Sequence, residues 1–113
     1  MTRQFKRGEI WTAAGGKDYA GKPRPVVVVQ DDRFDLTDSI TICAFTSDPT
    51  DAPLLRLRVE PDEENGLRGA SSLMIDKLTT VAKAKLGKRV GHLADRDMLR
   101  VNRALLVFLG IAG

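Results

Sequence analysis

Pro25-Val26-Val27-Val28-Val29-Gln30 is the stretch that decides the fold, because four consecutive β-branched residues suit a strand buried on both of its faces. Shorter apolar runs lie on either side of it, separated by turn-forming residues. In one of them Leu57 and Val59 alternate with Arg56 and Arg58, as in a half-exposed strand. We predict strands at 7–13, 25–30, 40–45 and 55–59, then two short strands or one bent strand at 71–75 and 79–81, and a closing strand at 89–93.

The apolar residues of the last segment recur at helical instead of strand spacing. Asp95 is placed to cap the start of this helix and Gly110 its end. The apolar stripe consists of Met98, Val101, Leu105 and Phe108, and it is widened by Leu99, Leu106 and Leu109. Several short strands followed by one helix predict a mainly β protein, a small and strongly bent β-barrel with a C-terminal helix packed on it.

The chain has 113 residues, which suits a single domain spanning 1–113 and excludes a two-domain enzyme. Cys43 is the one cysteine and His92 the one histidine, so a disulfide framework, a Cys-rich zinc site and a two-histidine acid–base pair are excluded. Cys43 is expected to be a small core residue. No metal and no cofactor is expected.

Charge is unevenly distributed along the chain. The formal net charge is +3, but residues 1–66 hold 9 basic and 12 acidic side chains, whereas residues 67–113 hold 9 and 3. A net of −3 followed by a net of +6 favours a polyanion or an acidic protein as partner. The start lacks the apolar run of a signal peptide, and the longest apolar stretch, 104–112, is too short to span a bilayer. We therefore expect a cytoplasmic protein.

Five groups of residues, taken in order, resemble a known family. They are Arg7-Gly8-Glu9-Ile10-Trp11, Arg24-Pro25 before the valines, Phe45-Thr46-Ser47, the segment 66–81, and Gly91-His92-Leu93 before the helix. In this order and spacing the chain resembles the MazF/PemK family of bacterial toxins over nearly its whole length. The resemblance implies an SH3-like barrel, a homodimer and sequence-specific cleavage of single-stranded RNA, mostly mRNA. It also implies an antitoxin encoded beside the toxin, and binding to operator DNA only through the antitoxin complex.

The chemistry is feasible with the side chains that this chain has. A metal-free ribonuclease can use the RNA 2′-hydroxyl as nucleophile, which requires a base, an acid at the leaving 5′-oxygen and donors that hold the phosphate. The products are a 2′,3′-cyclic phosphate and a 5′-hydroxyl. Arginines, carboxylates and hydroxyls are the available groups.

Arg24 and Thr46 are the central candidates. Arg24 stands between two prolines, and a planar guanidinium there can hold a phosphate through two hydrogen bonds. The resemblance makes it the essential arginine of the family. Thr46 ends a strand, where its hydroxyl either turns the loop locally or contacts the phosphate. The resemblance implies the second role, with Ser47 as a weaker companion.

Asp76 matches an aspartate that serves as the base in some relatives, so the resemblance implies this role for it. Here the chain departs from those relatives, since Met74 stands where they have an arginine and Lys77 where they have a glutamine. The alternative for Asp76 is a surface salt bridge with Lys77 or Arg68. Lys77 is also a candidate substrate contact.

In the glycine-rich loop, Asp18 matches a position where relatives often have glutamate, and Lys17 and Asp18 are expected to contact the substrate. His92 lies far in sequence from Arg24 and is not expected to be catalytic. Trp11 is expected to anchor the barrel or a dimer rather than stack on bases.

Two other functions fit the same fold. One is poisoning of DNA gyrase in the manner of the CcdB toxins, but the Trp-Gly-Ile ending of those toxins is represented here by Leu109-Gly110-Ile111. The other is a non-catalytic module that binds nucleic acid through the basic C-terminal half.

Overall fold

A computed structural model of the chain describes residues 4–14 and 22–113. In it, all seven predicted strands and the helix form. They are β1 (Glu9–Ala13), β2 (Arg24–Val28), β3 (Ser39–Thr46), β4 (Arg56–Val59), β5 (Ser71–Met74), β6 (Thr79–Ala82), β7 (Leu86–His92) and α1 (Asp95–Phe108). Within the described residues, short 3₁₀ helices cover Asp32–Phe34, Ile75–Lys77 and Lys83–Lys85. The one at Ile75–Lys77 separates β5 from β6, so two short strands form rather than one bent strand.

The strands form one antiparallel sheet with the order β4-β5-β3-β2-β1-β7, and β6 also pairs with β3. Strand β3 pairs with β2 along one edge and is long enough to pair with two strands along the other, since its first half pairs with β6 and its end with β5. The sheet is therefore strongly bent along β3, and the expected mainly β fold with one C-terminal helix is confirmed.

The segment that follows β4 connects the two ends of this sheet. The chain turns at Asn65-Gly66: Gly66 has φ +66° and lies so close to β7 that a Cβ would be 2.5 Å from the Val90 carbonyl oxygen. Asn65 is fully buried, and its Oδ1 accepts hydrogen bonds from the backbone N–H groups of Asp62 and Leu67. The His92 N–H donates to the Glu64 carbonyl at 2.9 Å, which holds the segment on β7.

Apolar side chains cover both sides of the central strands, as the four valines predicted. A helix-side cluster includes Val27 and Val29 and is sealed by α1. A second cluster, on the other side of β2, consists of Phe5, Trp11, Val26, Val28, Ile40, Ile42 and Leu86. Trp11 is 7% exposed and packs edge-on against Phe5, with ring centroids 4.6 Å apart, so it anchors the barrel.

Helix α1 ends as predicted but begins differently. Gly110 has φ +74°, and the backbone N–H groups of Gly110 and Ile111 bond back to the helix as in a Schellman motif. At the start, the cap is Ala94 instead of Asp95, and it makes no side-chain bond. Asp95 occupies the first helical turn, where its carboxylate faces the positive end of the helix dipole.

The apolar stripe of the helix also differs from the prediction at its end. Val101 and Ala104 are buried against the sheet, but Phe108 is 41% exposed. Together with Phe108, the exposed apolar residues of this region are Leu99, Leu106, Val107, Leu109 and Ile111. No helix within the described residues is long and apolar enough to cross a membrane.

Candidate functional site

A row of polar side chains crosses the sheet next to the second cluster. Thr46 of β3 pairs with Ser72 of β5, and Ser72 pairs with Arg58 of β4. In the pairing of β2 with β3, Val26 lies opposite Ala44, and the same register continued by two residues puts Arg24 opposite Thr46. Residues paired across antiparallel strands project from the same side of the sheet. Arg24, Thr46, Ser72 and Arg58 form this polar row.

Arg24 is the first residue of β2, and its neighbours restrict the conformation of its backbone. It pairs with Ala13 of β1, and Pro23 and Pro25 flank it in the sequence. Val26 and Val28, which lie on the same side of the strand, are almost completely buried, whereas the Arg24 side chain is exposed. A guanidinium at this strand end is therefore accessible to a ligand.

Thr46 ends β3 and shapes the loop that follows. Its Oγ1 accepts a hydrogen bond from the Asp48 N–H at 3.1 Å, and Asp48 in turn accepts bonds from the N–H and hydroxyl of Thr50. The local turn is thus present, and it leaves the Thr46 hydroxyl proton available for donation to a phosphate oxygen. Ser47 is exposed beside it.

Asp76 forms an ion pair, but its partner is neither of the two residues named in the salt-bridge alternative. Its two carboxylate oxygens accept bonds from Nε and Nη2 of Arg56, at 2.8 and 3.1 Å, and neither Lys77 nor Arg68 takes this place. The hydrogen bonds from Arg56 lower the pKa of Asp76 below its usual range. Asp76 is consequently a firmly ionised carboxylate with both oxygens engaged.

Arg56 is the functional candidate that sequence reasoning missed. It lies on β4 directly opposite Met74, the position where the resembling toxins have an arginine. The guanidinium thus reaches Asp76 from the neighbouring strand. The alternation of Arg56 and Arg58 indicated an exposed strand face, but only the register of β4 on β5 shows which acid Arg56 meets.

A cleft of about 370 Å³, here called the edge cleft, opens beside the polar row at the β4 edge of the sheet. Its walls are the loop 49–53, Arg56, Arg58, Ser72 and Arg100. Arg100 reaches it from α1, because its Nη1 donates to the Arg58 carbonyl oxygen and to Asp97 Oδ1, each at 2.9 Å. Three guanidinium groups therefore surround one cleft next to Thr46.

A larger cleft of about 580 Å³ lies on the other side of Arg24, at the end of the barrel. Pro23, Pro25, Leu67 and Val90 form its apolar part. Arg68, Lys88 and Arg89 supply its positive charge. This barrel-end cleft combines apolar surface with cations, which suits both nucleotides and acidic peptides.

The remaining candidates lie elsewhere. His92 pairs with Glu9 at the end of β1 opposite to Ala13, the partner of Arg24, so the imidazole is remote from the polar row. Cys43 is fully buried, and burial raises the pKa of its thiol to about 11, as expected for a core residue. Lys17 and Asp18 lie outside the described residues. In the part of the chain that the structure describes, no three His, Cys, Asp or Glu residues cluster as metal ligands.

Comparison with known proteins agrees with this architecture. Residues 6–109 match the family described as PemK-like, MazF-like toxin of type II toxin-antitoxin system. The chain belongs to this family. A MazF-like relative from Mycolicibacterium smegmatis, named probable endoribonuclease MazF, is 61% identical over 96% of this chain and 100% of its own length. Endoribonuclease EndoA of Bacillus subtilis is 28% identical over 94% of this chain and 95% of its own.

Solved structures of MazF-like toxins share the fold. An endoribonuclease in complex with its cognate antitoxin from mycobacterial species superposes with a TM-score of 0.75 at 21% identity, covering 99% of both chains. A MazE-MazF structure from Deinococcus radiodurans gives 0.79 at 16% identity, covering 97% of this chain and 100% of that one. The expectation of a MazF-type toxin endoribonuclease is confirmed at the level of the family, while the roles of individual site residues stay predictions.

Proposed function

We propose that this MazF-type toxin endoribonuclease cleaves single-stranded RNA, mostly mRNA, at a scissile phosphate held by Arg24 and Thr46. The observation that carries the proposal is the register of β2 on β3, in which Val26 lies opposite Ala44. Continued by two residues, this register brings Arg24 opposite Thr46 on one side of the sheet. A guanidinium and a hydroxyl at adjacent strand ends can donate to different oxygens of one phosphate.

In the proposed reaction the RNA 2′-oxygen attacks the phosphorus and the bond to the 5′-oxygen breaks. A base takes the 2′-hydroxyl proton, and an acid supplies a proton to the leaving oxygen. Arg24 and Thr46 donate hydrogen bonds to the phosphate oxygens, whose negative charge builds in the transition state. The products are a 2′,3′-cyclic phosphate and a 5′-hydroxyl, and neither a metal nor a water nucleophile is required.

Asp76 belongs to this site through its ion pair with Arg56. A carboxylate whose pKa lies below its usual range accepts a proton poorly at neutral pH, so the geometry favours a positioning role over the role of base. Asp48 lies in the loop that follows Thr46, and the hydrogen bonds from Thr50 lower its pKa. The positive charges of Arg56 and Lys77 lower it further. Further substrate contacts are assigned to Lys17, Asp18, Ser47 and Lys77.

The partners follow from the same proposal. The exposed apolar residues at the end of α1 favour a homodimer, because a small barrel leaves that much apolar surface uncovered in a monomer. Two relatives have been solved with an antitoxin or as MazE-MazF. An acidic antitoxin here would compete with RNA for the cationic clefts and carry the complex to operator DNA. The domain spans 1–113, and its mRNA substrate places it in the cytoplasm.

The deciding experiment mixes the purified protein with single-stranded RNA in excess EDTA and maps the new ends. We expect cleavage with 5′-hydroxyl ends and cyclic phosphates for the wild type and for Arg33→Ala, a matched loss of an exposed guanidinium. Arg24→Ala is expected to leave the RNA intact. Products with 5′-phosphates that appear only with Mg²⁺ would refute the proposed chemistry. A gel shift without cleavage, or inhibition of gyrase supercoiling, would select one of the other two functions.

A further inference from the structure

The polar row does not end at the proposed scissile phosphate. It continues from Thr46 across Ser72 to Arg58 on the edge strand β4. Neighbouring strands lie about 4.8 Å apart, so the three intervals from Arg24 to Arg58 cover about 14 Å. This length accommodates more than one phosphate of an extended RNA strand.

We propose that Arg58, Ser72 and Arg100 form a second phosphate subsite, which binds a phosphate close to the scissile one and directs the RNA across β3, β5 and β4 into the edge cleft. The inference rests on the proposed function, in which Arg24 and Thr46 hold the scissile phosphate. It adds three binding residues and a course for the substrate.

The side chains of this subsite are arranged for exchange with a phosphate. Arg58 is 64% exposed, and its Nε bonds Glu60 Oε1 at 3.1 Å, with the Glu60 side chain 70% exposed. Such a solvated surface pair contributes little to stability, so a phosphate can take the place of Glu60 at small cost. Ser72 is 9% exposed and lies between Thr46 and Arg58, where a hydroxyl adds a neutral donor.

Arg100 is held towards the subsite from the opposite wall. Its bonds to the Arg58 carbonyl and to Asp97 fix the guanidinium against β4 while 42% of the side chain stays exposed. Arg56, the third guanidinium of the edge cleft, is engaged with Asp76 and forms the wall on the side of the sheet. At about 370 Å³ the cleft falls in the range of about 300–1,000 Å³ usual for small-molecule sites, which suits a nucleotide.

One acid lines the same cleft and provides an internal check. Asp51 belongs to the loop 49–53 that faces the three arginines. Its negative charge opposes a phosphate in the cleft. If the edge cleft receives an RNA phosphate, Asp51→Asn will tighten RNA binding. If RNA does not enter the cleft, the substitution will leave the affinity for RNA unchanged.

The test uses the full-length protein and a single-stranded RNA that contains its cleavage sequence, with a 2′-O-methyl group at the attacking position to prevent cleavage. Fluorescence anisotropy gives the dissociation constant at several salt concentrations for the wild type, Arg58→Gln, Arg100→Gln and Ser72→Ala. Arg33→Gln is the matched control, because Arg33 is exposed and its Nε bonds a carboxylate two residues away at 3.0 Å, like that of Arg58. Circular dichroism verifies that each variant is folded.

We expect Arg58→Gln to weaken binding about tenfold and to reduce the salt slope by about 0.7, the value for one phosphate contact with a single strand. Arg33→Gln should change neither quantity. Replacing phosphates one at a time by uncharged methylphosphonates should identify one linkage near the scissile one whose loss weakens binding to the wild type but not to Arg58→Gln. If Arg58→Gln fails to fold, the same comparison is made between the wild type and Arg100→Gln.

Two results overturn the subsite while the proposed function stands. The first is that the Arg58, Arg100 and Ser72 variants bind RNA as tightly as the wild type does, while the wild type cleaves RNA and Arg24→Ala does not. The proposed function then stands without the subsite. The other is normal RNA binding with a specific loss of affinity for an acidic antitoxin peptide, which assigns the cleft to a protein partner. If the wild type neither binds nor cleaves RNA, the proposed function fails and the subsite fails with it.

Discussion

The two ends of strand β3 present different surfaces on the same side of the sheet. Ile40 and Ile42, near its start, are buried in the second cluster against Trp11 and its neighbours. Two further steps along, past Ala44, Thr46 stands in the polar row beside Ser72. The change coincides with the change of partner from β6 to β5. We therefore expect the start of β3 to serve stability and its end to serve the proposed site, so substitutions at the two ends should affect different measurements.

The largest effect is expected at the polar end. Arg24→Ala should reduce the cleavage rate by ~10² or more, the scale of losing a donor to a developing charge. Its midpoint of urea unfolding should match that of the wild type, because the side chain is exposed. Single-turnover cleavage of a labelled RNA measures the first quantity. Substantial cleavage by a folded Arg24→Ala protein would contradict the assignment of this arginine.

Near the apolar end of β3, where Val28 of β2 lies opposite Ile42, the expected effect is on stability. Val28 is fully buried, and Val28→Ala removes two methyl groups from the second cluster, which should cost about 2 kcal/mol in the free energy of unfolding. Cleavage per folded molecule should be unchanged. Urea denaturation with parallel activity measurements checks both. A selective loss of activity at full stability would show that stability and activity do not divide between the two ends of β3.

Thr46 allows the two functions of one hydroxyl to be compared. Thr46→Ala should lower the cleavage rate about tenfold, roughly 1.4 kcal/mol in transition-state stabilisation, while Thr46→Ser keeps the hydroxyl and most of the activity. The same bond to the Asp48 N–H can form with serine. Equal rates for the alanine and serine variants would assign the threonine to packing alone.

The ion pair of Asp76 and Arg56 should be visible as a pH dependence of stability. Because the folded pKa of Asp76 is lowered, its contribution is fully present above the unfolded value of about 3.9 and is lost as the pH falls through the folded pKa. Asp76→Asn should therefore destabilise the protein by about 1 kcal/mol at pH 7, and the difference should shrink below pH 4. Urea titrations at both pH values measure it; a difference that grows in acid has the wrong sign.

His92 should give the smallest effect. It lies at the far end of β1 from the partner of Arg24, and its ring is 3.8 Å from Glu64 on the surface. His92→Ala should keep nearly all cleavage activity across the pH range 6–8, as measured by initial rates. A large loss would mean that a residue remote from the polar row in this chain takes part in the reaction.

Local pattern was sufficient for most of the fold. The valine run, the alternation in β4 and the helical period of α1 each follow from a few neighbouring residues, and the structure has each of them. Strand β7 begins at Leu86, three residues before the predicted start. The prediction missed these residues because Gly87, Lys88 and Arg89 show no apolar alternation. The bond from the His92 N–H to the Glu64 carbonyl joins the segment after β4 to β7, and no local pattern specifies this long-range contact.

The site required more than pattern. Arg24 and Thr46 were singled out through a resemblance, and their placement across from each other depends on strand register. The pairing of Arg56 with Asp76 joins residues 20 positions apart on neighbouring elements. Such a contact follows from the lateral offset of β4 on β5, and a one-residue slip would turn Arg56 to the other side.

The bond from Arg100 to the Arg58 carbonyl has a consequence for the behaviour of the protein in solution. Strand β4 ends the sheet, and the outward-facing backbone groups of such a strand are a template on which another polypeptide can add. The guanidinium of Arg100 donates a hydrogen bond to one of these carbonyl oxygens, and the charged side chains of Arg56 and Arg58 disfavour the approach of another strand. The bond between Arg100 and the Arg58 carbonyl, which lies within the proposed RNA path, thus also opposes aggregation through the exposed edge strand β4.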